Sequence, residues 1–245
     1  MLLFDALYRA EQALPLAELA RRAGLPKTST HRLAEELCRH ALLERADGGY
    51  RLGMRLFELG AGVPPQRALR EAALPLMADL REATRCTVHL AVLDGIEVVY
   101  VQILNSPGST RLPSRLGGRL PAHATGVGKV ILAYSPAEVV TARIDAGLTR
   151  LTPRTICTPG TLSRELETIR ANGVAYDREE STVGIHCVAA PVFDAQDRVV
   201  AALSVTGRST REVVRVAPAA RTVGLALGRL LQARTPPPAH PLDAQ

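Results

Sequence analysis

The sequence predicts an α+β protein in two parts: a winged helix-turn-helix, then a larger domain on a largely antiparallel sheet. Three observations carry this. Two short amphipathic helices flank Gly24-Leu25-Pro26 and are followed by two β-rich stretches around Asp47-Gly48-Gly49. Two further β-rich runs, Thr87 to Leu93 and Ile96 to Gln102, are separated by Asp94-Gly95, a hairpin signal. Beyond them, strands are joined by hairpins as well as helices, which favours a segregated α+β arrangement.

In the first part, Leu16, Leu19, Ala20 and Ala23 recur at i, i+3, i+4 and i+7, one face of a helix. Gly24 can stop it in the left-handed conformation, and Pro26 pre-sets the next helix. The inner face of that second helix is expected to be Thr30, Leu33, Ala34 and Leu37. Lys27, Thr28, His31, Arg32 and Arg39 are left on the outer face, able to reach phosphates or base edges in a major groove. Leu43 to Arg45 and Tyr50 to Leu52 then form the wing. An ordinary helical hairpin is the alternative. Against it, Arg21, Arg22, Lys27 and Arg32 lie between Leu19 and Ala34 with no acidic residue among them, although the first 60 residues are nearly balanced in charge.

The chain has 245 residues and a net charge of +6, enough for two domains and compatible with a polyanionic partner. Cys38, Cys86, Cys157 and Cys187 lie far apart without C-x-x-C spacing, and the histidines are equally dispersed. Neither a metal site nor a disulfide framework is expected, nor any cofactor, and reduced thiols point to the cytoplasm. No leader and no membrane span are expected. Expected boundaries are 1–60 for the DNA-binding domain, 61–72 for a linker at the Gly60-to-Pro65 composition change, 73–233 for the second domain and 234–245 for a proline-rich, disordered tail.

In the second part, Leu74 to Arg85 is expected as a helix and Arg111 to Leu116 as a third strand. Ser135-Pro136-Ala137-Glu138 reads as a capping box with proline at the first helical position. A helix begins at Thr158-Pro159 and ends at Asn172-Gly173. Val174 to Arg178, His186 to Phe193 and Arg198 to Thr206 are strands, and Arg211 to Ala233 a last helix. Three segments can build a pocket. His123 to Lys129 leads into an apolar helix, where glycines and free N–H groups suit a carboxylate, though packing glycines fit equally well. It is no phosphate-binding loop, since His123 replaces the first glycine and Val130 the Ser/Thr. Asp177 to Cys187 offers a hydrogen-bond acceptor and a compact thiol. Ser204 and Thr206 share one face of an apolar strand, either in a pocket or towards solvent.

Leu19 to Lys27, His31-Arg32-Leu33 and Gly49 to Gly53 resemble the DNA-binding half of the isocitrate-lyase-regulator (IclR) family. Leu120 to Lys129, Asp177 to Glu180, Gly184 to Pro191 and Ala201 to Gly207 resemble its effector domain. The resemblance runs to about Ala233. It implies a bacterial transcription factor, repressor or activator, that pairs as a homodimer or dimer of dimers on a double-stranded DNA operator. Its GAF-like C-terminal domain would bind a small organic or aromatic acid. It further implies DNA contacts from Arg21, Arg22, Lys27, Thr28, Ser29, His31 and Arg32. A ligand carboxylate is expected near Gly126 and Val127, polar contacts from Asp177, Cys187, Ser204 and Thr206, and apolar walls from Leu112, Leu120 and Ile185. Three departures stand out. The N-terminal helix begins abruptly at Met1 and looks short, suggesting an upstream start or other dimer contacts. Pro64-Pro65 should interrupt a usually helical linker. Thr28-Ser29-Thr30 differs from the usual recognition helix.

Two rival readings remain. In an enzyme acting on a small acid, Cys187 would be the nucleophile and His186 its base, but neighbouring strand residues point to opposite faces. An architectural DNA-binding protein would need no pocket.

Overall fold

The computed structural model describes residues 1–8, 10, 12–106, 112 and 114–234. Within it the chain divides into two compact units, residues 1–67 and residues 68 onward. The expected disordered tail falls almost entirely outside the described residues.

In the first unit, α1 (Leu2–Tyr8), α2 (Leu16–Ala23), α3 (Lys27–Arg39) and the hairpin β1 (Leu43–Ala46) and β2 (Gly49–Leu52) surround one apolar core that includes Leu3, Leu7, Leu19, Ala34, Leu43 and Tyr50. Gly24 ends α2 at φ 65° and returns its N–H to the α2 carbonyls. Asp47 and Gly48 both take positive φ, as a two-residue turn between right-twisted strands requires. Leu33 corrects the expected inner face of α3: it is 43% exposed, while Thr30 and Ala34 are fully buried. Three residues per step drifts around a helix with 3.6 residues per turn, so the core takes Thr30, Ala34 and part of Leu37 and leaves Leu33 outside.

After α4 (Met54–Ala61), α5 runs from Pro64 to Thr84. The linker expectation is corrected here: Pro64 and Pro65 open a helix, where a missing N–H costs nothing, and the break is at Gly62-Val63. α5 thus begins well before Leu74.

The second unit is a six-stranded, wholly antiparallel sheet in the order β5-β4-β3-β8-β7-β6. Its strands are β3 (Thr87–Asp94), β4 (Glu97–Leu104), β5 (Arg119–Pro121), β6 (Ala175–Arg178), β7 (His186–Phe193) and β8 (Val199–Gly207). The first hairpin turns on Gly95-Ile96, one residue later than the sequence suggested. The expected strand at 111–116 is corrected: its described residues are not in a strand, and β5 begins at Arg119 instead. Two core layers flank the sheet. On one face α5 and α9 (Thr210–Arg234) pack Met77, Leu80, Val213 and Leu227 against Val88, Leu90, Leu203 and Val205. On the other, α6 (Gly126–Tyr134) and α8 (Pro159–Asn172) cover Ala91, Ala175, Ala189 and Ala202. Alanines on that face let α6 approach closely.

α7 (Ala137–Asp145) corrects the capping-box expectation. Pro136 stands at its N-cap, and the Ser135 hydroxyl donates back to the Ile131 carbonyl of α6 at 2.9 Å. The serine closes the earlier helix, and the Pro136 carbonyl accepts the Val139 N–H to open α7.

Candidate functional site: an effector cavity and a DNA-facing helix

The cavity lies under the N-terminus of α6, and its floor follows from strand register. Asp177 pairs with Cys187, Cys187 with Thr206, and Thr206 with Thr87, so one row crosses four strands. In the next row Ala189, Ser204 and His89 are paired in turn. Leu112, Leu120, Gly126, Val127, Asp177, Ile185, Cys187, Ser204 and Thr206 all line this one cavity. Ser204 and Thr206 therefore face the pocket and not solvent. Sequence reasoning missed His89, Tyr100 and Ser114, and did not single out Thr125, Ser181 and Thr182 within its pocket segments; all six line the cavity too. The usable signal was Thr87 and His89 alternating as polar residues on an apolar strand.

The cavity holds about 400 Å³ of empty space, its open mouth included.

The glycines of the α6 turn divide the two readings left open by the sequence. A Cβ on Gly128 would lie 2.1 Å from the Ala122 carbonyl oxygen, so this glycine packs the helix onto the 3-10 turn Ala122–Ala124. A Cβ on Gly126 would instead meet Cys187 Sγ at 2.8 Å, at the cavity wall. Thr125 caps α6 by accepting the Gly128 N–H at 3.0 Å. His123 lies away from the cavity, with Nε2 3.1 Å from the Thr149 carbonyl oxygen.

Asp177 is buried and bound to its own loop. Its carboxylate accepts from the Glu180 N–H at 2.7 Å and the Ser181 hydroxyl at 2.6 Å. Burial raises its pKa, and these hydrogen bonds oppose the rise. His89 is held neutral: burial depresses it to about 4, Nε2 is 2.8 Å from Ser114 Oγ and Nδ1 is 3.3 Å from Thr206 Oγ1. Burial and the nearby Asp177 push the Cys187 thiol far up. His186 points to Thr210, Nδ1 to Oγ1 3.2 Å, on the other face of β7. The proposed Cys187–His186 pair is thus not assembled. Among the described residues no His/Cys/Asp/Glu group could hold a metal ion, and no helix is long and apolar enough to cross a membrane.

In the first unit, Lys27, Thr28, His31 and Arg32 are exposed along α3 and Ser29 is half-buried. Arg21 and Arg22 behave differently from the sequence reading. Glu18, one residue outside the acid-free stretch, lies 2.6 Å from a nitrogen of each, and the two arginines hold its carboxyl down at about 2. Either arginine must leave Glu18 to meet a phosphate. Glu35 ties α3 to the wing, 2.6 Å from Arg45 Nη2 and 2.8 Å from the Tyr50 hydroxyl.

A winged helix carrying an exposed basic helix face, in a chain whose larger unit encloses a polar cavity, defines a DNA-binding transcriptional regulator. The family model for the IclR helix-turn-helix domain matches residues 1–47, and that for the bacterial transcriptional regulator IclR C-terminal domain matches residues 64–222. The chain belongs to the IclR family. It is 35% identical to the HTH-type transcriptional regulator XynR of Escherichia coli K12, over 90% of this chain and 91% of that one. It is 31% identical to the transcriptional repressor IclR of the same strain, over 92% and 87%. Among solved structures, an IclR homolog from Microbacterium hydrocarbonoxydans complexed with 4-hydroxybenzoate superposes with a TM-score of 0.87 at 29% identity, covering 95% of this chain and 97% of that one. The Thermotoga maritima IclR structure gives 0.78 at 28% identity, covering 94% and 96%.

Proposed function

We propose that this regulator is effector-responsive: it binds a double-stranded operator as a homodimer, and a small organic acid in the α6 cavity changes that binding. Residues 1–60 act as the DNA-binding domain and 73–233 as the effector domain, in the cytoplasm where the DNA lies. A two-fold dimer presents two α3 helices about one helical turn apart to a palindromic site. His31 and Arg32 read base edges; Lys27, Thr28, Ser29, Arg21 and Arg22 position the protein on phosphates. The acid carboxylate sits at the start of α6, against Gly126 and Val127, where the helix dipole favours negative charge. Leu112, Leu120 and Ile185 wall the site, and Asp177, Cys187, Ser204 and Thr206 supply polar contacts.

The observation that carries the reading is that all nine of these cavity residues, drawn from separate segments, surround one space. A solved relative complexed with 4-hydroxybenzoate supports the ligand class. The acid changes DNA affinity by binding one arrangement of the dimer better than another.

The test is fluorescence anisotropy on the DNA flanking this protein's gene, with a random duplex as control, at two salt concentrations and with 4-hydroxybenzoate and aliphatic acids added. Specific binding that an acid alters supports the reading. Equal, steeply salt-sensitive binding to both duplexes, unmoved by every acid, would overturn it.

A further inference from the structure

We infer that Glu35 is a further base-reading residue of α3: its carboxylate accepts from the exocyclic amino group of a cytosine in the major groove, and so helps to set the operator sequence. The inference rests on the reading of α3 as the groove helix given above and deepens it.

α3 turns Thr30, Ala34 and Leu37 to the core of its unit. At about 100° per residue, Lys27, His31, Glu35, Thr28, Arg39 and Arg32 follow one another, in that order, across about 140° of the remaining surface. Glu35 is thus a carboxylate in the middle of an otherwise basic and polar stripe. It stands one helical turn beyond His31 and Arg32, and it feels the His31 charge. The neighbouring acid, Glu36, falls outside the stripe and pairs with Arg39 and His40.

The wing fixes the direction of this carboxylate. Arg45 Nη2 donates to Glu35 Oε1 at 2.6 Å, and the Tyr50 hydroxyl donates to the same oxygen at 2.8 Å. The Arg45 guanidinium also lies over the Tyr50 ring, 5.6 Å from its centroid. Because both donors meet Oε1, Oε2 keeps its capacity to accept, and the side chain is 33% exposed. The Tyr50 hydrogen bond and Arg45 hold the carboxyl below its usual range, so it stays ionised. Arg45 offsets its charge beside the phosphates, which makes a carboxylate tolerable in a groove.

An ionised carboxylate only accepts, so it selects a base that donates. In the major groove guanine presents two acceptors, N7 and O6, and thymine presents O4 and a methyl group. Adenine sets its N6 donor beside the N7 acceptor. Cytosine presents the N4 donor alone, which makes it the best match and guanine the worst.

The test is selection from a randomised duplex library by the full-length protein and its Glu35→Gln, Glu35→Asp and Arg32→Ala variants. Fluorescence anisotropy then measures the selected site with each base in turn at the altered position. Wild type should require cytosine at one position of each half-site, favouring it about tenfold over guanine. Glu35→Gln should lose that preference or move it to adenine, with the other positions unchanged. Glu35→Asp, which keeps the charge and shortens the reach, should lose it too. Unchanged preferences in both Glu35 variants, while Arg32→Ala relaxes a position, would overturn the inference alone and leave Glu35 a tie to the wing. So would an equal gain on every duplex, which would mean that Glu35 only screens phosphates, or an equal loss, which would mean that it only supports the fold. A wild type that selects no sequence would overturn the groove reading of α3 and this inference with it.

Discussion

Lys129 Nζ lies 2.7 Å from Glu180 Oε1, with the lysine fully buried and Glu180 nearly so. Lys129 comes from the first turns of α6, and Glu180 from the β6–β7 loop that forms one cavity wall. Glu165 of α8 adds a second carboxylate at 2.9 Å. Thr152 and Thr155 hold the same loop through the Glu179 and Glu180 carbonyls at 2.6 and 2.7 Å. The loop that forms this cavity wall is thus fastened by an ion cluster behind it.

Removing one partner of this cluster should be much worse than removing the charge pair. Lys129→Ala leaves Glu180 charged and buried and should cost about 3–5 kcal/mol. Lys129→Met with Glu180→Gln should recover most of that loss. Urea unfolding midpoints check this, and a single variant as stable as wild type would show that the cluster contributes nothing.

Gly128→Ala should destabilise the second unit by about 1–3 kcal/mol, because the new Cβ meets the Ala122 backbone at 2.1 Å and the helix must move. Gly126→Ala meets the Cys187 thiol at 2.8 Å, with Ala189 and Asp177 at ordinary contact distance, and should mainly weaken acid binding. Thermal melting and ligand titration separate the two effects.

The pH dependence of stability has a definite sign. His89 takes up its proton near 4 in the folded state, against 6.5 for an ordinary histidine. Between those values the unfolded chain binds the extra proton, so stability is fully present above pH 6.5 and falls as the pH drops towards 4. The gap is worth roughly 3 kcal/mol. Burial also lowers His123, in the same direction. His89→Asn should flatten the loss between pH 6.5 and 4, leaving the part due to His123; an unchanged profile would remove His89 from the explanation.

Cys187 should resist iodoacetamide at pH 8 until the protein unfolds, since burial and Asp177 keep it as the thiol. The partly exposed Cys157 should react first. Fast labelling at Cys187, followed by mass spectrometry, would reopen the nucleophile reading.

On DNA, Arg32→Ala should cost about 1–3 kcal/mol on the specific site and much less on random duplex. Lys27→Ala should weaken both alike and reduce the salt slope by about 1. Equal losses for Arg32→Ala on both duplexes would leave it a phosphate contact.

Local signals settled much of this protein. Gly24, Pro26 and the Asp47-Gly48 turn locate the helix-turn-helix and wing because each demands a backbone conformation independent of its surroundings. Alternating apolar residues place β7 and β8, and Asn172-Gly173 ends α8, for the same reason. Resemblance in short motifs was enough to gather nine cavity residues. Long-range geometry decided the rest. Leu33 faces outward because the core takes a narrower stripe of α3 than its apolar residues suggest. Glu18 pairs with both Arg21 and Arg22 because a helical turn brings it beneath them. Tyr100 faces the cavity because one residue, Val101, is extra in the pairing of β4 with β3. A strand's periodicity reveals which residues share a face, but only pairing with a partner strand decides where that periodicity slips, and hence which side chains line the cavity.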